Sequence, residues 1–135
     1  MPKSSDDLAK LLLRLTVGGL MLFHGIAKLA HGIAWMGPLL AAHGLPEFIQ
    51  YGVILGEVVA PVLLVLGYRT RISALVVAFD MVIAFALVHS HQVFTLGPSG
   101  GWAIELPAFY FLASLVIFFA GPGKYSVAGG QRTWG

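Results

Sequence analysis

The sequence predicts an all-α integral membrane protein: a four-helix transmembrane bundle, up-down-up-down, with a short interfacial segment between the first two helices. Three observations carry that prediction. Of 135 residues, 58% are hydrophobic and 10% charged, with a mean hydropathy of +0.86, a balance foreign to soluble domains of this size. Four apolar runs at 8–30, 48–67, 72–90 and 102–120 each approach the roughly 20 residues that cross about 30 Å of hydrocarbon. Lys3, Lys10, Arg69, Arg71, Lys124 and Arg132 all fall on one side if both termini do, and the two opposite loops hold no Lys or Arg. By the positive-inside rule that side is cytoplasmic. Residues 1–135 read as a single transmembrane domain.

The first run, LAKLLLRLTVGGLMLFHGIAKLA, reaches about 34 Å as a helix yet carries Arg14, His24 and Lys28. Arg14, Gly18, Met21, Gly25 and Lys28 recur at spacings of four and three, so both long cations share one face with two glycines. That face is expected to turn away from lipid, with the glycines admitting a neighbouring backbone. Asp6 and Asp7 in the would-be charged region, Arg14 in the apolar run and the lack of a small-residue cleavage site argue against a cleavable signal peptide. Residues 31–47 are apolar but broken by Gly37, Pro38, Gly44 and Pro46. They read as an interfacial segment with Trp35 at the headgroup boundary.

The second run places Glu57 at mid-membrane, with Pro61 four residues later. Proline there removes the N–H that would bond the Glu57 carbonyl, so a kink is expected beside the acid. Gly52, Gly56 and Ala60 form a small-residue ladder suited to close packing. The third run carries Asp80 near its centre and ends at His89 and His91. A loop with Gly97-Pro98 and Gly100-Gly101 marks turns before the fourth run. That run opens with Trp102 and places Glu105 in its first turn, and Gly121-Pro122-Gly123 stops it. The polar tail that follows reads as a surface extension.

Charge in the spans makes the case for a site. Six isolated charges at about 3 kcal/mol each would cost on the order of 15–20 kcal/mol, so pairing or protonation of the acids is required. Arg14, Glu57 and Asp80 are the candidate polar, proton-exchanging core, with Arg14 expected to pair with Glu57 or Asp80. His24, Lys28, Glu105 and His91 are candidate ligand-binding groups towards the outer leaflet. The plainer alternative is a buried ion-pair network that only fixes helix register, with His24 a packing residue and His91 a wet loop end. The scattered basic residues suggest no nucleic-acid partner. The absence of cysteine closes off disulfide exchange, iron–sulfur ligation and thiolate zinc, so a redox role would use a bound cofactor or quinone. A haem between His24 and a loop histidine lacks an attachment motif, and no metal site is expected.

Several segments carry a family resemblance: LLLRLTVG at 11–18, FHGIAKL at 23–29, HGLP at 43–46, GEVVAPVLLVLGYRTR at 56–71, GGWAIELP at 100–107 and GPGKYS at 121–126. In this order they resemble the DoxX family of small four-helix bacterial membrane proteins. The resemblance implies an inner-membrane home and a polar core of Arg14, His24, Lys28, Glu57 and Glu105; at the place of Asp80 the family admits other polar residues. It also implies kinship with subunits associated with thiosulfate:quinone oxidoreduction, membrane oxidoreductase complexes and thiol or quinone stress. The expected function is a quinone- or redox-linked membrane component, in contact with lipid and acting as a homo-oligomer or complex subunit. The alternative is a non-enzymatic membrane binding, transport or complex-assembly protein.

Overall fold

The computed structural model describes residues 3–127. Residues 1–2 and 128–135, with Arg132, and the side chains of Lys3, Ser4, Val88 and His89 lie outside the described ones. Among the described residues the regular structure is all helical, apart from one β-bridge between Leu96 and Trp102. The helices are α1 (Lys3–His31), α2 (Met36–Ala42), α3 (Gln50–Ile54), α4 (Ala60–Leu66), α5 (Thr70–Ala84) and α6 (Glu105–Ala120).

Three helical runs, Ser5–His31, Glu47–Leu66 and Thr70–Leu87, are long and apolar enough to cross a membrane. Their outward faces carry bare hydrophobics such as Phe23, Phe48 and Phe79, the last of them 66% exposed. Water is a poor solvent for such a surface; hydrocarbon suits it. This is an all-helical membrane bundle. The apolar α6 is shorter than the 102–120 run expected from sequence, at about 24 Å of helix. Trp102 explains the difference: it pairs with Leu96 and donates from its indole N–H to the Val93 carbonyl at 2.6 Å, which holds residues 93–104 in a loop.

Between α3 and α4 the helix does not simply kink. Leu55–Val59 form a π turn just ahead of Pro61. A wider turn absorbs the N–H that proline cannot supply, and π turns gather at functional positions. A second π turn, Phe85–His89, continues α5. The interfacial segment contains α2, whose Met36 and Leu40 pack against Val53 on the second span.

The glycine stripe on α1 does what its spacing suggests. A Cβ on Gly18 would lie 2.7 Å from the Pro61 carbonyl, and one on Gly25 would overlap the Glu57 carbonyl. Residue numbers climb on α1 as they fall on the second span, so the two run antiparallel in close backbone contact. Val17, Met21, Ala60, Leu64, Val77, Met81, Tyr110 and Ile117 join all four spans in one core. Gly121 against Arg71, Gly123 against Lys10 and the Lys124 N–H on Asp7 (3.0 Å) gather one end of the bundle.

Candidate functional site

The polar side chains of the spans separate into two places. At the end of α4 the helix stops in a Schellman motif: Gly67, at φ 74°, lets the Tyr68 N–H reach the Leu63 carbonyl (3.0 Å) and its own N–H reach Leu64 (3.1 Å). Arg14, fully buried, donates from Nη1 to the carbonyls of Leu64 (3.1 Å) and Val65 (3.3 Å) and from Nη2 to that of Tyr125. The Val127 N–H covers the Leu66 carbonyl at 2.9 Å. Every carbonyl of the last turn is thereby satisfied, and the guanidinium sits at the negative end of the helix dipole. The expected pairing of Arg14 with Glu57 or Asp80 is therefore corrected. Backbone carbonyls, not carboxylates, hold this arginine.

The second place is built around Glu57. The π turn presents its side chain, 96% buried, to α1, where Lys28 Nζ lies 2.5 Å from Oε2. Lys28 sits less than one helical turn beyond Gly25, so the close backbone approach at Gly25 is what brings the ammonium within reach. Its stem leaves the side chain 29% exposed, the geometry of a lysine covering apolar surface while its charge finds a partner. Asp80 comes from α5. A Cβ on Gly56 would lie 2.6 Å from the Asp80 Cβ, so Asp80 rests on the second span's backbone one residue before Glu57. It lies within electrostatic reach of both Glu57 and Lys28, and its Oδ2 is buried without a hydrogen-bond partner.

Beside the Lys28–Glu57 pair opens a niche of about 120 Å³. Its other walls include His24, Met21, Met81 and Tyr110. His24 and Tyr110 meet edge to face with ring centroids 5.9 Å apart. His24 is exposed and Tyr110 buried, so the niche faces out of the bundle sideways. The contact the structure gives His24 is thus a ring. Tyr110 is the single phenol between Phe109 and Phe111 in the aromatic run of α6.

Glu105 was expected to converge with His24 and Lys28. Instead it is exposed at the start of α6, and its carboxylate folds back over Gly101; Leu106, Pro107 and Tyr110 represent α6 in the niche. His91 is exposed in the turn Ser90–Gln92, outside the niche lining. Of the seven candidates, the structure thus brings together Lys28, Glu57, Asp80 and His24. Among the described residues no cluster of three or more His, Asp or Glu is placed to hold a metal ion.

Comparison with known proteins adds a lineage. An uncharacterized protein of Haemophilus influenzae is 32% identical over 114 residues, covering 82% of this chain and 81% of that one. No solved structure matches the chain. The DoxX family matches residues 9–90, the stretch that contains Arg14, His24, Lys28, Glu57 and Asp80. With more than half its length matched, this chain belongs to the DoxX family.

Proposed function

We propose that the protein is a quinone- or redox-linked component of the bacterial inner membrane, in which the Lys28–Glu57 niche receives the polar headgroup of a quinone-like molecule. The observation that carries this reading is the lateral pocket itself, which joins a buried ion pair to an imidazole and a phenol. Its size is well below the roughly 300 Å³ of a drug-sized pocket, so one ring fits and an apolar tail stays in lipid. The chemistry suits both redox forms. Lys28 and His24 can donate to quinone carbonyls, and Glu57 can accept from quinol hydroxyls. A carboxylate and an imidazole also provide the proton exchange that quinone reduction entails. Without cysteine in the chain, the electrons would come from another subunit, in keeping with a role as a homo-oligomer or member of a membrane complex.

Purified protein in mild detergent, titrated with a short-chain benzoquinone, tests this. His24→Phe keeps the ring volume and removes both nitrogens, and Glu57→Gln keeps the shape and removes the charge. Each is expected to weaken binding at least about tenfold while leaving the helical content unchanged, consistent with about 1.4 kcal/mol lost per charge-assisted bond. Unaltered affinity in both variants would overturn the reading.

Orientation follows from the basic end. Lys10, Arg71 and Lys124 meet there, and residues 91–101 at the other end contain no Lys or Arg, so both termini are assigned to the cytoplasm. A reporter inserted at Ser99 is expected to be periplasmic and one fused after Trp134 cytoplasmic; the reverse pattern would refute the assignment.

A further inference from the structure

A second groove opens on the other side of the acid pair, between the second span and α5. It encloses about 360 Å³, and its walls are apolar (Ile49, Leu75, Phe79 and Ile83 among them) apart from Asp80. Asp80 is 93% buried, and its Oδ2 has no hydrogen-bond partner among the described residues. Charge counting sharpens the observation. Lys28 is spent on Glu57 at 2.5 Å, and Arg14 is held by the carbonyls of Leu64, Val65 and Tyr125. Counted in its ionised form, the trio of Lys28, Glu57 and Asp80 carries one uncompensated negative charge in the hydrocarbon layer. Such a charge is strongly unfavourable unless a cation or a proton balances it.

The geometry points to a binding site for a lipophilic cation, an organic ammonium or phosphonium with a bulky apolar body, seated in this groove with its charge against Asp80. Apolar walls take up the body and exclude water. In that setting a single carboxylate attracts a cation far more strongly than at the surface. The groove is open to the bilayer along Phe79, which is 66% exposed, so the ligand enters from lipid and needs no aqueous channel. The groove is separate from the headgroup niche in its lining, with Asp80 in this groove and His24 in the other.

Gly52 supplies the control. It lines the groove, and a Cβ built there meets nothing within 4 Å. A side chain can therefore be added at 52 without a clash at its Cβ, and a phenylalanine there is chosen to occupy the groove. The experiment is equilibrium dialysis of the full-length protein in detergent with tetraphenylphosphonium, and with neutral triphenylphosphine oxide for comparison. Saturable binding of the phosphonium is expected, together with at least about tenfold weaker binding of the neutral compound. Asp80→Asn should weaken phosphonium binding by at least about tenfold, and G52F should abolish it while the far-ultraviolet spectrum and melting temperature hold. Equal binding of the neutral compound, full affinity in either variant, or no saturable binding by the wild type would each overturn the assignment. Because none of these outcomes depends on quinone binding, failure here and failure of the headgroup niche are distinguishable.

Discussion

Replacing Arg14 by alanine is expected to lower the stability of the bundle by at least about 3 kcal/mol, because two effects add. The substitution strips donors from the carbonyls of Leu64, Val65 and Tyr125, and it leaves a void where a fully buried side chain stood. Leu64 keeps a second partner in the Gly67 N–H, but Val65 and Tyr125 are left with orphaned acceptors at about 1–3 kcal/mol each. An opposing effect exists, since removing a buried charge relieves a desolvation cost, and buried ion pairs replaced by hydrophobic residues are sometimes neutral or better. Here that relief does not win. The partners are main-chain carbonyls, which no compensating substitution can remove. Thermal unfolding in detergent should show a fall on the order of 10 °C. Arg14→Lys should fall between the two, since it keeps the charge but cannot reach three acceptors with a planar fork. An Arg14→Ala protein that melts with the wild type would show that the cap contributes nothing.

The case of Arg14 also shows what the sequence could and could not reveal. The four apolar runs, the turn at Gly67 and the glycine stripe on α1 follow from local composition and spacing, which the chain writes openly. Partner choice for a buried cation does not. Backbone carbonyls are present at every residue and leave no signature, so a sequence reader looks for carboxylates and pairs Arg14 with Glu57. The partner of Glu57 is instead Lys28, and only the approach of α1 to the π turn shows why. Glu105 misled for a related reason. Its helical register was sound from residue 105 onward, but the loop bridge between Leu96 and Trp102 decides where α6 begins. That bridge is a contact across the loop, invisible to periodicity. The aromatic run Phe109-Tyr110-Phe111 is legible in the sequence, but which of its rings lines the niche is decided by helix packing.

Gly25→Ala is expected to dismantle the niche with a single added methyl group. The new Cβ would overlap the Glu57 carbonyl and lie 2.7 Å from the Val58 Cγ2. The valine methyl could rotate away, but the carbonyl belongs to a π turn that Pro61 fixes four residues on. Relief must therefore come from α1 moving outward. Forcing atoms into a filled interface costs about 1–3 kcal/mol, and the upper end applies where backbone has to shift. Alanine's helix propensity returns up to about 1 kcal/mol, leaving a net loss of roughly 2 kcal/mol. Gly19→Ala isolates that return, because a Cβ there meets nothing within 4 Å; it should be neutral or stabilising by up to about 1 kcal/mol. The functional consequence is larger than the loss of stability. Lys28 lies less than one turn beyond Gly25, so displacing α1 opens the 2.5 Å contact with Glu57 and pulls His24 from Tyr110. Quinone-analogue binding should then be lost in Gly25→Ala and kept in Gly19→Ala, in detergent and at a temperature where both remain folded. If the two alanines prove alike in melting and in binding, the close approach of α1 to the second span is not what assembles the niche.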